Sequence, residues 1–290
     1  MHGIDDTSDD HVYLSLTEGH DDGDARWAFG TGFHDPLHGV DTTVPAGVDP
    51  AALVALCLAL GDDALVSAQR LAEWCTRAPE LEEEVALANI GLDLLGQARL
   101  LYARCGQLDG TGRDEDAYAY FRDAGEFRNV RLAELPGGDF AFAIVRLLVL
   151  SAWRLALFGR LASAPDPVLA AIAAKGVPEL TYHRQYAAEW AVRLGDGTPE
   201  SHLRMRAALE QVAPYLGELF ADRPGFGVDA TAVREETQAV LHQVLAAAGL
   251  DLPVTGPLAG SGRDGGHTAH LAPLLTELQS VARSHPEAAW

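Results

Sequence analysis

The chain has 290 residues, 48% of them apolar, enough to enclose a large core in one domain or two. Against 42 acidic residues stand 21 basic ones, and the formal net charge of -21 repels phosphate backbones and anionic membranes, which argues against nucleic-acid and membrane partners. Three cysteines, Cys57, Cys75 and Cys105, lie far apart with no CxxC pair and no signal peptide, so a reduced, cytoplasmic setting is expected.

Residues 1–25 hold eight acids ahead of the first basic residue, Arg26, with few large apolar groups, a composition that reads as a disordered acidic leader. Residues 26–48 contain aromatics but no helical period and many Gly and Pro, so they read as an extended arm, with His34 and His38 as loop residues. Residues 49–290 read as a single helical domain. Asp49-Pro50 gives a cap and first turn for a helix to about Arg77, with Leu56, Leu60, Leu65, Ala68, Ala72 and Cys75 inward. Its acids Asp62 and Asp63 read as solvent-facing or salt-bridged.

The stretch from Pro79 to Cys105 predicts the helix around which the others are organised. Leu81, Val85, Ala88, Leu92, Leu95, Arg99 and Tyr102 form one stripe, and Leu87, Gly91, Leu94, Ala98 and Leu101 form another, so the helix should be covered on most of its circumference. Asn89, Asp93 and Gln97 are then its inward polar candidates.

Short helical pieces are expected over 115–124 and 126–134. Asp139 should cap a long apolar helix from Phe140 to Ala162. Arg146 and Arg154 within it would cost about 3 kcal/mol each at mid-bilayer, so it reads as a buried helix, with the two arginines as buried counter-ions. Asp166-Pro167 opens a fourth long helix to about Leu194, in which Gly176 and Pro178 predict a kink or a local π-type irregularity. Further helices are expected over Pro199–Phe220, Ala232–Ala248 with Thr231 as cap, and Thr268–Arg283 after a Gly-rich linker. No strand-like alternation of any length occurs. The fold class is all-α: a bundle of four long helices with later ones packed outside.

Such a bundle with inward carboxylates raises the ferritin-like plan, in which paired metal ions are held by Glu and by Glu-x-x-His, residues three apart sharing a helix face. The position three before His183 is Leu180; before His202 it is Pro199, before His242 Ala239, and before His270 His267. Asp35 precedes His38 and Asp264 precedes His267 at that spacing, but in Gly/Pro-rich loops. A full di-iron ligand set is absent. Gly256 to Gly266 has no following Lys-Ser or Lys-Thr, which excludes a P-loop.

Six runs, LGDDALVSAQRLAEWC (60–75), LEEEVALANIGLDLLGQARLLY (81–102), GRDEDAYAYFRDAGEFRN (112–129), ELPGGDFAFAIVR (134–146), RLGDGTPESHLRM (193–205) and HTAHLAPLLTELQSVAR (267–283), resemble the C subunits of the multicomponent phenylacetyl-CoA 1,2-epoxidases. The resemblance spans residue 26 to the end. It implies a ferritin-like, non-catalytic structural subunit with a degenerate metal site, docked on a di-iron catalytic A subunit. It further implies a small B subunit and an NADPH-dependent flavin and iron-sulfur reductase, with O2 epoxidising phenylacetyl-CoA on the A subunit in aerobic phenylacetate breakdown. Where the catalytic sister carries an Asp-Glu-x-Gly-His run, this chain has Asp93-Leu94-Leu95-Gly96-Gln97, so Leu94 and Gln97 stand at ligand Glu and His positions. His183 is retained but Leu180 replaces the second carboxylate. No metal, cofactor or catalytic residue is then expected in this chain. Asp93, Gln97, Glu179 and His183 would hydrogen-bond one another or nearby arginines. The alternative is an oxygenase active in its own right, with an atypical site of Asp93, Glu179, His183 and one acid of the first helix.

Overall fold

Four aspartates and a threonine set the starts of five of the longer helices. Asp49, Asp139, Asp166 and Asp229 each accept a hydrogen bond from a backbone N–H of the first turn, and Thr198 accepts one from Ser201 in a capping box. The computed structural model describes residues 37, 39–221, 228–256 and 258–288. Within these run α1 (Pro50–Ala72), α2 (Leu81–Leu108), α3 (Glu115–Tyr120), α4 (Arg131–Glu134), α5 (Phe140–Leu161), α6 (Pro167–Gly195), α7 (Pro199–Val212), α8 (Leu216–Leu219), α9 (Ala230–Ala247) and α10 (Leu271–Ser284). Three short 3-10 turns lie between them, and no strand occurs among the described residues. Residues 39–290 form one compact unit. The acidic leader, most of the arm, and the His34 and His38 positions lie outside the described residues.

The fold is an all-α, ferritin-like bundle. α1 pairs with α2 and α5 with α6, the pairs meet along α2 and α6, and α7 and α9 pack outside against α5 and α6. Helix α5 is the centre: 17 of its 22 residues are buried, which identifies its long apolar run as core. The α1 helix is as apolar as α5 but only half buried over its most apolar window.

Several boundaries differ from the sequence reading for physical reasons. Thr76 adopts a left-handed φ of 67°, so α1 ends at Ala72 and a turn replaces its expected last residues; Ala72 and Cys75 are exposed. Helix α6 continues through Pro178, with no π-type turn there. Pro214 ends α7 early, breaking the expected Pro199–Phe220 helix into α7, a 3-10 turn and α8. Asp229, not Thr231, caps α9. Thr268 is drawn away from α10, which starts at Leu271, because its N–H and hydroxyl both bond Glu134, at 2.7 and 2.6 Å.

The largest correction concerns α2. Its second stripe, with Leu87, Leu94, Ala98 and Leu101, is buried. The first stripe points outward: Leu81, Val85, Leu92 and Leu95 are 70%, 51%, 63% and 36% exposed, and Asn89 is exposed with them. Only Tyr102 at its end is in the core.

Candidate functional site

The site lies where α1, α2, α5 and α6 face one another at mid-bundle. One helical turn of α2 presents Asp93, Leu94 and Gln97; one turn of α6 opposite presents Glu179, Leu180 and His183, because positions three and four apart share a face. The structure brings the four polar members together in two pairs. His183 Nε2 lies 3.0 Å from Asp93 Oδ2, with His183 buried and Asp93 at the rim. Gln97 Nε2 donates to Glu179 Oε2 at 2.9 Å, and Glu179 is also ion-paired with Lys175 one turn earlier.

A fifth side chain completes the arrangement. Arg154, reaching in from α5, donates from Nε to Gln97 Oε1 at 3.0 Å and from Nη1 to the Leu60 carbonyl at 3.1 Å. Its guanidinium lies 4.4 Å from the centre of the Phe158 ring. Gln97 therefore bridges a cation and a carboxylate through the two ends of one amide, which fixes the orientation of that amide. Burial, reinforced by the like charge of Arg263, pulls the Arg154 pKa down to about 10, offset in part by Asp63 and Glu179, so the group stays charged at neutral pH. Arg146, two turns earlier on α5, is lowered to about 10 by burial and by Arg70.

The ferritin-like plan implies a metal pair at this place, and the residues present do not suit one. Leu94 and Leu180 turn methyl groups into the space where carboxylates would ligate, and both are buried. The Gln97 amide is engaged at both ends, and a guanidinium stands among the remaining donors. Hard or borderline cations need charged oxygen or nitrogen donors. Among the described residues no three His, Cys, Asp or Glu side chains converge.

A second polar cluster, around Asp62 and Asp63 of α1, does not follow from the sequence reading, and its Asp63 also lines the space beside Arg154. Asp62 and Asp63 are buried and each is ion-paired, to Arg122 and Arg263, so they are salt-bridged as one of the two expectations had it and not solvent-facing. Asp62 accepts from Arg122, from Tyr102 Oη at 2.6 Å and from the Arg128 N–H at 2.7 Å. Asp63 accepts from Arg263 Nη2 at 2.6 Å and the Val130 N–H at 2.8 Å, while burial raises its pKa against these partners. Glu134 gathers Asn129, Thr268 and His267, whose Nδ1 is 2.6 Å from Glu134 Oε1 and whose Nε2 is 2.9 Å from the Phe127 carbonyl. These bonds tie residues 122–134 and 261–268 over α1, so His267 serves as a clasp, and His270 is exposed. The doubled Asp after Leu60-Gly61 is the available signal, since two adjacent acids inside an otherwise apolar helix face different sides.

The family model described as phenylacetic acid catabolic protein matches residues 40–290. The chain belongs to this family. It is 43% identical over 246 residues to the C subunit of the 1,2-phenylacetyl-CoA epoxidase of Escherichia coli (strain K12), an alignment covering 82% of this chain and 99% of that protein. The family match takes in both polar clusters and every described helix, and begins where the compact unit begins. In this member of the family, then, the mid-bundle turn of α2 carries a leucine and an amide, and the amide is held by an arginine.

Proposed function

We propose that this chain is a structural subunit of a phenylacetyl-CoA 1,2-epoxidase, docking on and supporting a di-iron catalytic A subunit while performing no chemistry itself. The observation that carries this reading is the Arg154–Gln97–Glu179 bridge, with Leu94 and Leu180 beside it, at the place where a ferritin-like oxygenase would hold metal. A buried guanidinium there repels cations and satisfies the donors that metal would otherwise take. The likeness to the Escherichia coli epoxidase component supports the assignment to an epoxidase. By the same reading, a small B subunit and a reductase complete the system. Two like-folded bundles would pair through a broad helical face, burying roughly 2,000 Å2 or more as lasting complexes do.

Elemental analysis tests this. The purified chain should carry close to no iron and should not turn over phenylacetyl-CoA with reductase, and iron and turnover should appear when the catalytic subunit is added. About two irons in the chain alone, or turnover by it, would replace this reading with that of an active oxygenase.

A further inference from the structure

Between α1, α2, α5 and α6 a small cavity of about 30 Å3 remains. Leu94 and Leu180 form part of its apolar wall, and Asp63, His183, Arg146, Arg154, Ser67 and Ser151 supply polar lining. Arg154 is 3% exposed, and its Nη2 has no hydrogen-bond partner. Arg146 is equally buried, and its hydrogen bonds run only from Nη1 to the carbonyls of Leu135 and Pro136. Neither guanidinium lies within ion-pair distance of a carboxylate among the described residues. The acids that act on them are paired elsewhere: Asp63 with Arg263, Glu73 with Arg70, and Glu179 with Lys175. Asp93, at the rim, bonds His183 and is more than a third exposed. Two guanidiniums stand against the single carboxylate of Asp63, itself taken by Arg263, so the lining carries an excess of positive charge within a chain whose net charge is -21.

A buried cation with an unmet N–H is costly unless a counter-charge meets it. A water occupies about 10–15 Å3 on this measure, so the cavity has room for one monatomic ion and none for an organic anion. Leucine walls favour an ion that sheds water easily. We propose that this cavity binds one small, weakly hydrated anion of the halide class, held by the Arg154 guanidinium with the Ser67 hydroxyl as a further donor, while the Ser151 hydroxyl is donated to the Leu148 carbonyl. The place that carries cations in the ferritin-like plan has thereby reversed its polarity. The proposal goes beyond the subunit reading and does not rest on it, because the isolated chain contains the whole cavity.

The experiment is a thermal melt of the full chain at constant ionic strength, with gluconate, too large for the cavity, replaced stepwise by bromide or chloride. The wild type should gain a few °C in a saturable manner, bromide acting at lower concentration than chloride. Arg154→Met should abolish the saturable gain. Should that variant fail to fold, Ser151→Val fills the cavity while keeping both guanidiniums, and it too should lose the gain. Bromide-soaked crystals should show an anomalous peak within hydrogen-bond distance of Arg154 Nη2. Identical melts in gluconate and bromide, a gain that persists in Ser151→Val, or bromide found only on the surface, an adventitious ion only, would overturn the proposal.

Discussion

Gln97 is the residue on which the mid-bundle site turns, since its amide answers a guanidinium at one end and a carboxylate at the other. Gln97→Leu keeps the volume and removes both bonds, leaving the buried Arg154 Nε and one Glu179 oxygen unmet. Hydrogen bonds to charged groups are worth about 1.5–3 kcal/mol each, and the two losses share one network, so we expect a destabilisation of about 3 kcal/mol in urea unfolding. A loss under about 1 kcal/mol would mean that water takes over both bonds. At this scale the sequence is partly legible. Asp93, Gln97, Glu179 and His183 follow from helical spacing and from the family resemblance, and all four meet as expected. Arg154 reads as a buried counter-ion, but its pairing with an amide does not follow, because nothing in the local sequence of α5 states which neighbour faces it. The burial of Asp62 and Asp63 is hidden because the groups that enclose them come from residues 122–134 and 261–268, remote in sequence and without regular periodicity.

At the scale of elements, the close approach of α5 and α6 depends on Gly176. A Cβ there would lie 2.8 Å from the Phe158 ring and 3.4 Å from Gln97 Nε2. Alanine in an exposed helix interior would add about 1 kcal/mol of stability. In this buried setting Phe158 is 1% exposed and stacked under Arg154, so the ring cannot move aside freely. We expect Gly176→Ala to destabilise by about 1–3 kcal/mol, and a stabilised variant would show that the ring yields. Helix α6, which packs against α5 and α2, continues through Pro178, whereas Pro214 lies in the 3-10 turn that follows α7. The clasp at His267 makes a separate prediction. Burial lowers its pKa, but the Glu134 carboxylate and the Phe127 carbonyl outweigh burial and Arg128, leaving it raised above 6.5. A raised folded-state value means that the imidazolium's contribution is complete below about pH 6.5 and is lost as pH climbs through the folded value. Urea midpoints between pH 6 and 9 should fall in the wild type by more than in His267→Gln. Equal pH dependence in the two proteins would show that His267 does not hold the clasp through its charge.

At the scale of the whole molecule, the outer face of α2 is the feature that the bundle leaves unexplained. Helical period is legible in Leu81, Val85, Leu92 and Leu95, but period alone does not distinguish an apolar stripe facing a core from one facing a partner. The stripe spans about 14 residues, roughly 21 Å of helix, a length suited to a helical partner. Glu80, Glu82, Glu83 and Glu84 stand at its start, and the chain as a whole carries -21, so a second copy would bring like charges together. We therefore place the docking of the catalytic subunit on this face, as an expectation that rests on the subunit reading. Leu92→Asp with Val85→Asp should alter the stability of the isolated chain by no more than about 1 kcal/mol, since both residues are exposed. Central apolar contacts at an interface are each worth about 2 kcal/mol, so the pair should weaken binding of the catalytic subunit by roughly a hundredfold or more in titration calorimetry. Leu203→Asp and Val281→Asp, exposed apolar sites on α7 and α10, supply the control and should leave binding unchanged. If the α2 variant binds as tightly as the wild type while either control weakens the complex, the docking face lies on α7 or α10 and the α2 stripe needs another occupant.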